Sequence, residues 1–87
     1  MLESIKLALR IKSSTFDDEI NDLIQAAKLD LSISGIKNIN EKDPLILQAV
    51  KTYSKANFSM DNKDSEKYQA SYESLKQHLS LCGDYNE

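Results

Sequence analysis

The chain has 87 residues, 40% of them hydrophobic, and a formal net charge of −3. That length fits one domain that buries only about 60–65% of its extended surface, so a single copy is expected to be marginally stable. The lone cysteine excludes an internal disulfide, and no apolar run is long enough for a membrane span. Acids and lysines interleave along the chain, which leaves no basic patch of the kind that neutralises phosphates.

The opening residues, MLESIKLALRIK, are too short and too polar for a secretory signal, so a cytoplasmic origin is expected. The match of Asn57-Phe58-Ser59 to a glycosylation acceptor carries no meaning there. A first short helix is predicted over about Leu2–Arg10, with Leu2, Ile5 and Leu9 on one side. Ile11–Ser14 reads as a link, because its serines favour a helix boundary.

The second helix is the clearest, over Thr15–Gly35. Thr15 is the expected cap, Asp17, Asp18 and Glu19 load the positive end of the dipole, and Gly35 is the stop. Ile20, Leu23, Ile24, Ala27 and Leu31 form one apolar stripe. Ala26, Leu29, Ile33 and Phe16 lie off that stripe. The following Asn- and Lys-rich loop, Gly35–Lys42, carries Ile36 and Ile39 as expected core anchors.

Asp43-Pro44 reads as a cap followed by proline at the first helical position, opening a third helix that runs to about Phe58. Its stripe is Ile46, Ala49, Val50, Tyr53 and Ala56 or Asn57, with Leu45 and Leu47 off it. Ser59–Asp64 reads as a polar turn. The fourth helix is predicted from Ser65 to Cys82 with Gly83 as its stop, and Tyr68, Tyr72, Leu75, Leu79 and Cys82 form a narrow seam of near coiled-coil spacing. A short tail is expected to fray unless Tyr85 anchors it. The expected fold class is therefore all-α, a small single-domain bundle of about four helices spanning 1–87, a short N-terminal helix plus three longer ones.

Small folds gain stability from disulfides, metals or assembly. No metal or cofactor is expected, so assembly remains. The off-stripe positions Leu29, Ile33, Leu45 and Leu47, with Tyr85, are the candidate subunit or partner interface, because one small partner layer does not cover two apolar faces.

Catalytic readings are weak. His78 and Cys82 stand four apart on one helix face, yet no third orienting group or pocket is indicated. Asp17, Asp18, Glu19 and Asp22 complement a helix N-terminus better than they describe a cation site. Asp61-Asn62-Lys63-Asp64 starts like a calcium loop but has lysine at the third ligand position, no glycine at the sixth and Tyr72 where the closing glutamate belongs. Tyr68 and Tyr72 fit a core seam better than a base-stacking platform, since Glu66 and Glu73 flank them along with Lys67 and Lys76. A helix-turn-helix is disfavoured by the long gap between the second and third helices.

The order of these features resembles a known family. A short helix ends in Leu9-Arg10-Ile11; an acid-started helix follows with Ile20, Leu23-Ile24 and Ala26-Ala27; Asp43-Pro44 opens a helix carrying Ile46, Ala49-Val50 and Tyr53. The last part holds Lys67-Tyr68, Tyr72, Leu75-Lys76, Leu79 and Gly83-Asp84-Tyr85. Over nearly the whole chain this is similar to the head–tail connector (adaptor) proteins of long-tailed bacteriophages and prophages, the gp6-like or DNA-packaging connectors. The resemblance implies a non-enzymatic, all-helical subunit of a ring, dodecameric in the virion. Such a ring docks under the portal protein after packaging, extends the DNA channel and receives the next connector or stopper protein. It implies no cofactor, no membrane, and DNA that passes without specific binding. It also implies assembly in the host cytoplasm and a final place at the head–tail interface. Only a few residues follow Gly83, so no tail-mediated docking is carried over from the family. The competing reading is a small helical DNA-associated regulator. A regulator is expected to be a stable dimer with salt-sensitive DNA affinity, and a connector to shift from monomer to ring without it.

Overall fold

A computed structural model describes residues 1–58 and 64–86. In chain order these form α1 (Leu2–Leu9), α2 (Asp17–Ile33), α3 (Pro44–Asn57), α4 (Ser65–Ser80) and a single closing turn, α5 (Gly83–Asn86). The all-α class and the plan of one short and three longer helices are those expected. No strand occurs among the described residues.

In α1, Ile5 is fully buried, and Leu2 and Leu9 pack against the core. The helix ends where Arg10 takes a left-handed conformation, φ 60° and ψ 39°. The Arg10 N–H then donates to the Leu7 carbonyl and the Ile11 N–H to the Lys6 carbonyl, closing a Schellman turn. The helix thus ends one residue before the predicted Arg10, which takes the left-handed position although its side chain does not favour it.

α2 begins at Asp17, with Phe16 at the N-cap and no side-chain cap. Thr15 does not cap it. Its amide instead donates to the Ser13 hydroxyl at 3.1 Å, and the two hydroxyls lie 2.7 Å apart, so the serine-threonine link builds a turn of its own. At the other end Gly35 acts as predicted: φ is +96°, and its N–H donates to the Ser32 carbonyl. The Ile36 N–H reaches back to the Leu31 carbonyl, and both of those side chains are fully buried. This is the apolar contact that accompanies such a stop.

The Asp43-Pro44 start is also observed. Asp43 Oδ1 accepts from the Leu45 N–H at 2.8 Å. Ile46, Ala49 and Val50 are buried on α3, which packs against α1, α2 and α4 and is the central helix. Aromatic contacts fix directions. Phe16 and Phe58 meet edge-to-face at 5.6 Å, so α2 begins where α3 ends. Tyr53 meets Tyr72 at 5.1 Å and Lys55 lies over the Tyr68 ring at 5.5 Å, so position rises along α3 as it falls along α4 and the two are antiparallel as well.

Two sequence boundaries need correction at the C-terminus. α4 stops at Ser80, and Cys82 lies half-buried just beyond it rather than inside the seam. Gly83 starts α5 instead of ending α4. Tyr85 anchors the tail: its carbonyl accepts from the Lys37 and Asn38 amides at 2.6 and 3.2 Å. Of the predicted turn Ser59–Asp64, only Asp64 belongs to the described residues, so the calcium-loop comparison at Asp61-Asn62-Lys63 lies outside them.

Candidate assembly surface

Helical phase decides which apolar side chains are left over. At about 3.6 residues per turn, Asp18, Asp22, Leu29 and Ile33 point to the same side of α2, away from Ile20, Ile24, Ala27 and Leu31. The structure places all four in solvent: Leu29 is 62% exposed and Ile33 76%, while the inner four are buried. Leu45 is 42% exposed at the start of α3. Leu47 is half-buried and packs against the core. Tyr85 is half-buried too, with its hydroxyl donating to Asp43 Oδ2 at 2.8 Å. The sequence-predicted interface residues thus divide: Leu29, Ile33 and Leu45 share one end of the bundle with free surface, while Leu47 and Tyr85 make contacts inside the chain.

Sequence reasoning missed two exposed residues, Leu7 and Leu81, at 80% and 79% exposure. Their signal was present. Leu7 falls off the Leu2/Ile5/Leu9 side, and Leu81 falls between the seam positions Leu79 and Cys82.

The exposed surface rests on a stiff frame. Asp30 accepts from the Tyr72 hydroxyl at 2.6 Å and from Lys76 Nζ at 3.0 Å, and Lys76 also reaches Glu73 at 3.0 Å. This clamp ties the second half of α2 to α4 at the residue next to Leu29 and within one turn of Ile33. Burial alone would raise the Asp30 pKa, but the two donors and the lysine charge outweigh it and hold the carboxyl below its ordinary range. Burial and the bond to Asp30 push Tyr72 upward, so it is a neutral donor at any physiological pH. Tyr85 and the Leu45 amide lower Asp43 in the same way. Lys28 pairs with Glu41 across the loop and lowers that carboxyl. At the opposite end, Lys6 lies 2.9 Å from Asp17.

The chemical alternatives find little here. Tyr72 is fully buried and Tyr68 sits half-buried beneath Lys55, so neither presents a free ring face to a base. His78 is exposed on α4 beside a shallow open groove lined by Ala70, Ser71, Ser74 and Leu75. Among the described residues, no group of three or more His, Cys, Asp or Glu side chains is arranged to hold a metal. None of the described helices is long and apolar enough to cross a membrane.

The exposed aliphatic side chains are the feature of this surface that the fold leaves uncovered. In comparison with known families, residues 1–86 match the family described as phage connector protein. The chain belongs to the phage connector proteins. No curated protein and no solved structure shows significant similarity to it. Membership gives the chain a phage connector role and suggests a non-enzyme.

Proposed function

We propose that this connector is the subunit of a closed ring that docks beneath the portal at the head vertex, extends the DNA channel and links head to tail. The observation that carries the reading, beside family membership, is the set of exposed aliphatic side chains Leu29, Ile33, Leu45 and Leu81 on a chain whose core is already filled. Scattered apolar residues are ordinary on a protein surface, but four gathered at one end of so small a fold are suited to a partner. Identical subunits in a ring use a heterologous contact, one surface meeting a different surface of the next copy. The acidic balance of the chain suits a channel through which DNA must slide, because a basic lumen would hold phosphates. The next connector or stopper protein binds the face turned from the portal. Assembly takes place in the host cytoplasm.

Electron microscopy of the purified protein mixed with its portal tests this. The expected result is a ring of extra density coaxial with the portal. Portal particles that remain bare at saturating connector concentration would refute it.

A further inference from the structure

The helices differ in how firmly they are held. α2 buries Ile20, Ile24, Ala27 and Leu31, and α3 buries Ile46, Ala49 and Val50. α1 has eight residues and one fully buried apolar side chain, Ile5. Its other buried residue carries a charge: Lys6 is 9% exposed. A helix of this length is too short to persist in water without packing, so α1 depends on the surface of α2 and α3 beneath it.

That surface contains polar groups that burial leaves poorly served. Lys6 Nζ lies 2.9 Å from Asp17 Oδ1 but outside hydrogen-bonding alignment, and Oδ1 is buried with no hydrogen-bond partner among the described residues. The Ser54 side chain on α3 is fully buried, and its hydroxyl likewise finds no partner among them. Ser54 shares a helix side with Phe58, one turn on, and Phe58 meets Phe16 beside Asp17. Lys6, Asp17 and Ser54 therefore gather at the corner where α1 ends, α2 starts and α3 ends. A buried polar group without a hydrogen bond is destabilising, and contact with water removes that penalty. The connection out of α1 acts in the same direction. Arg10 holds φ 60°, a left-handed angle that a side chain disfavours, and the residues of the link from Lys12 to Phe16 are exposed.

We infer that α1 is a hinged cover: it leaves α2 and α3 and unravels as one unit about Arg10, while α2, α3 and α4 stay packed. Opening loses the burial of Ile5 but hydrates Lys6, Asp17 and Ser54 and relaxes the Arg10 angle. It uncovers the apolar side of α2 and α3 on which α1 rests. This opening belongs to the free subunit and does not depend on whether the chain forms a ring.

Amide hydrogen exchange of the full chain, followed by NMR at rising urea below the unfolding transition, tests this. The amides of Ile5 to Ile11 are expected to open at least about tenfold more often than those in the middle of α3, with a shallow urea dependence, because only α1 is exposed. The α3 amides are expected to follow global unfolding with its full urea slope. Ser54→Ala and Arg10→Gly each favour the closed form, so each is expected to slow exchange in α1 by up to about fivefold. If the α1 amides share the steep urea slope of α3, α1 is part of the core and the hinged cover is overturned. It is overturned as well if Ser54→Ala leaves exchange in α1 unchanged, because opening then brings no water to that hydroxyl.

Discussion

Leu31 and Ile33 stand two residues apart on α2. Leu31 is fully buried beneath its helix, while Ile33 is three-quarters exposed. Nothing in the chemistry of the two side chains separates them. The difference is angular: two residues advance about 200° around a helix, so one points at the neighbouring helices and the other away. The inner side of α2, with Ile20, Ile24, Ala27 and Leu31, makes a closed core with α1 and α3. The outer side, with Leu29 and Ile33, has hydrocarbon and no cover. Stability belongs to the first and association to the second, and substitutions can pull the two apart.

The largest effect on folding is expected from Leu31→Ala. It removes fully buried hydrocarbon and the apolar lock against Ile36, so it should cost about 3 kcal/mol in urea unfolding. Ile33→Ala is the matched control on the outer side and should fall within about 0.5 kcal/mol of wild type. Equal losses at the two positions would show that the outer side is covered in the free subunit.

Next comes the clamp beneath the surface. Tyr72→Phe keeps the ring against Tyr53 but deletes the hydroxyl that Asp30 accepts from, and should cost about 1–2 kcal/mol. The same pair sets a pH dependence. The folded Asp30 has a lowered pKa, so its carboxylate stabilises the fold above the unfolded value near about 3.9, and that contribution disappears as pH falls through the lower folded value. Asp43 shifts in the same direction. Thermal melts should therefore fall off below about pH 4, less steeply in Asp30→Asn, with the remaining slope coming from the other lowered carboxyls, Asp43 and Glu41. An unchanged acid slope in Asp30→Asn would remove Asp30 from the account.

The two Schellman turns give a smaller, two-sided test. Gly35 and Arg10 hold the same left-handed position after α2 and α1. Gly35→Ala puts a Cβ on a backbone with φ +96° and should destabilise by about 1 kcal/mol, although nothing crowds the site. Arg10→Gly relaxes a φ of 60° and should stabilise by up to about 1 kcal/mol. Calorimetry of the pair should thus give shifts of opposite sign.

Those turns also show what the sequence makes legible. Gly35 and Asp43-Pro44 announce themselves because their roles are local: one supplies a permitted backbone angle, the other a cap and a preset φ. The buried stripes follow from spacing alone, and the outer positions Leu29, Ile33 and Leu45 follow by the same phase. Arg10 is illegible as a stop, because the chain's path from Lys6 to Ile11, not the side chain, sets its conformation. Gly83 carries a stop signal but opens a turn, since the tail is held by Tyr85 against a loop more than forty residues earlier. The Asp30–Tyr72 bond joins residues 42 apart and leaves no periodic trace. Leu47 and Tyr85 stand off the stripes, yet contacts between elements half-bury them.

The smallest expected effect on folding is the most telling for function. Leu29→Asp replaces a side chain that is 62% exposed and touches no charged partner among the described residues, so the unfolding midpoint should move by less than about 0.5 kcal/mol equivalent. The proposed interface, however, would have to desolvate that carboxylate among apolar groups of the next copy, which is costly when no cation meets it. Circular dichroism should be unchanged while ring density on portal particles disappears. Leu45→Asp, at the same end of the bundle but less exposed, should behave likewise with a somewhat larger folding cost. If both variants fold and still form rings, the outer leucines are bystanders, and the contrast between the two sides of α2 loses its functional half.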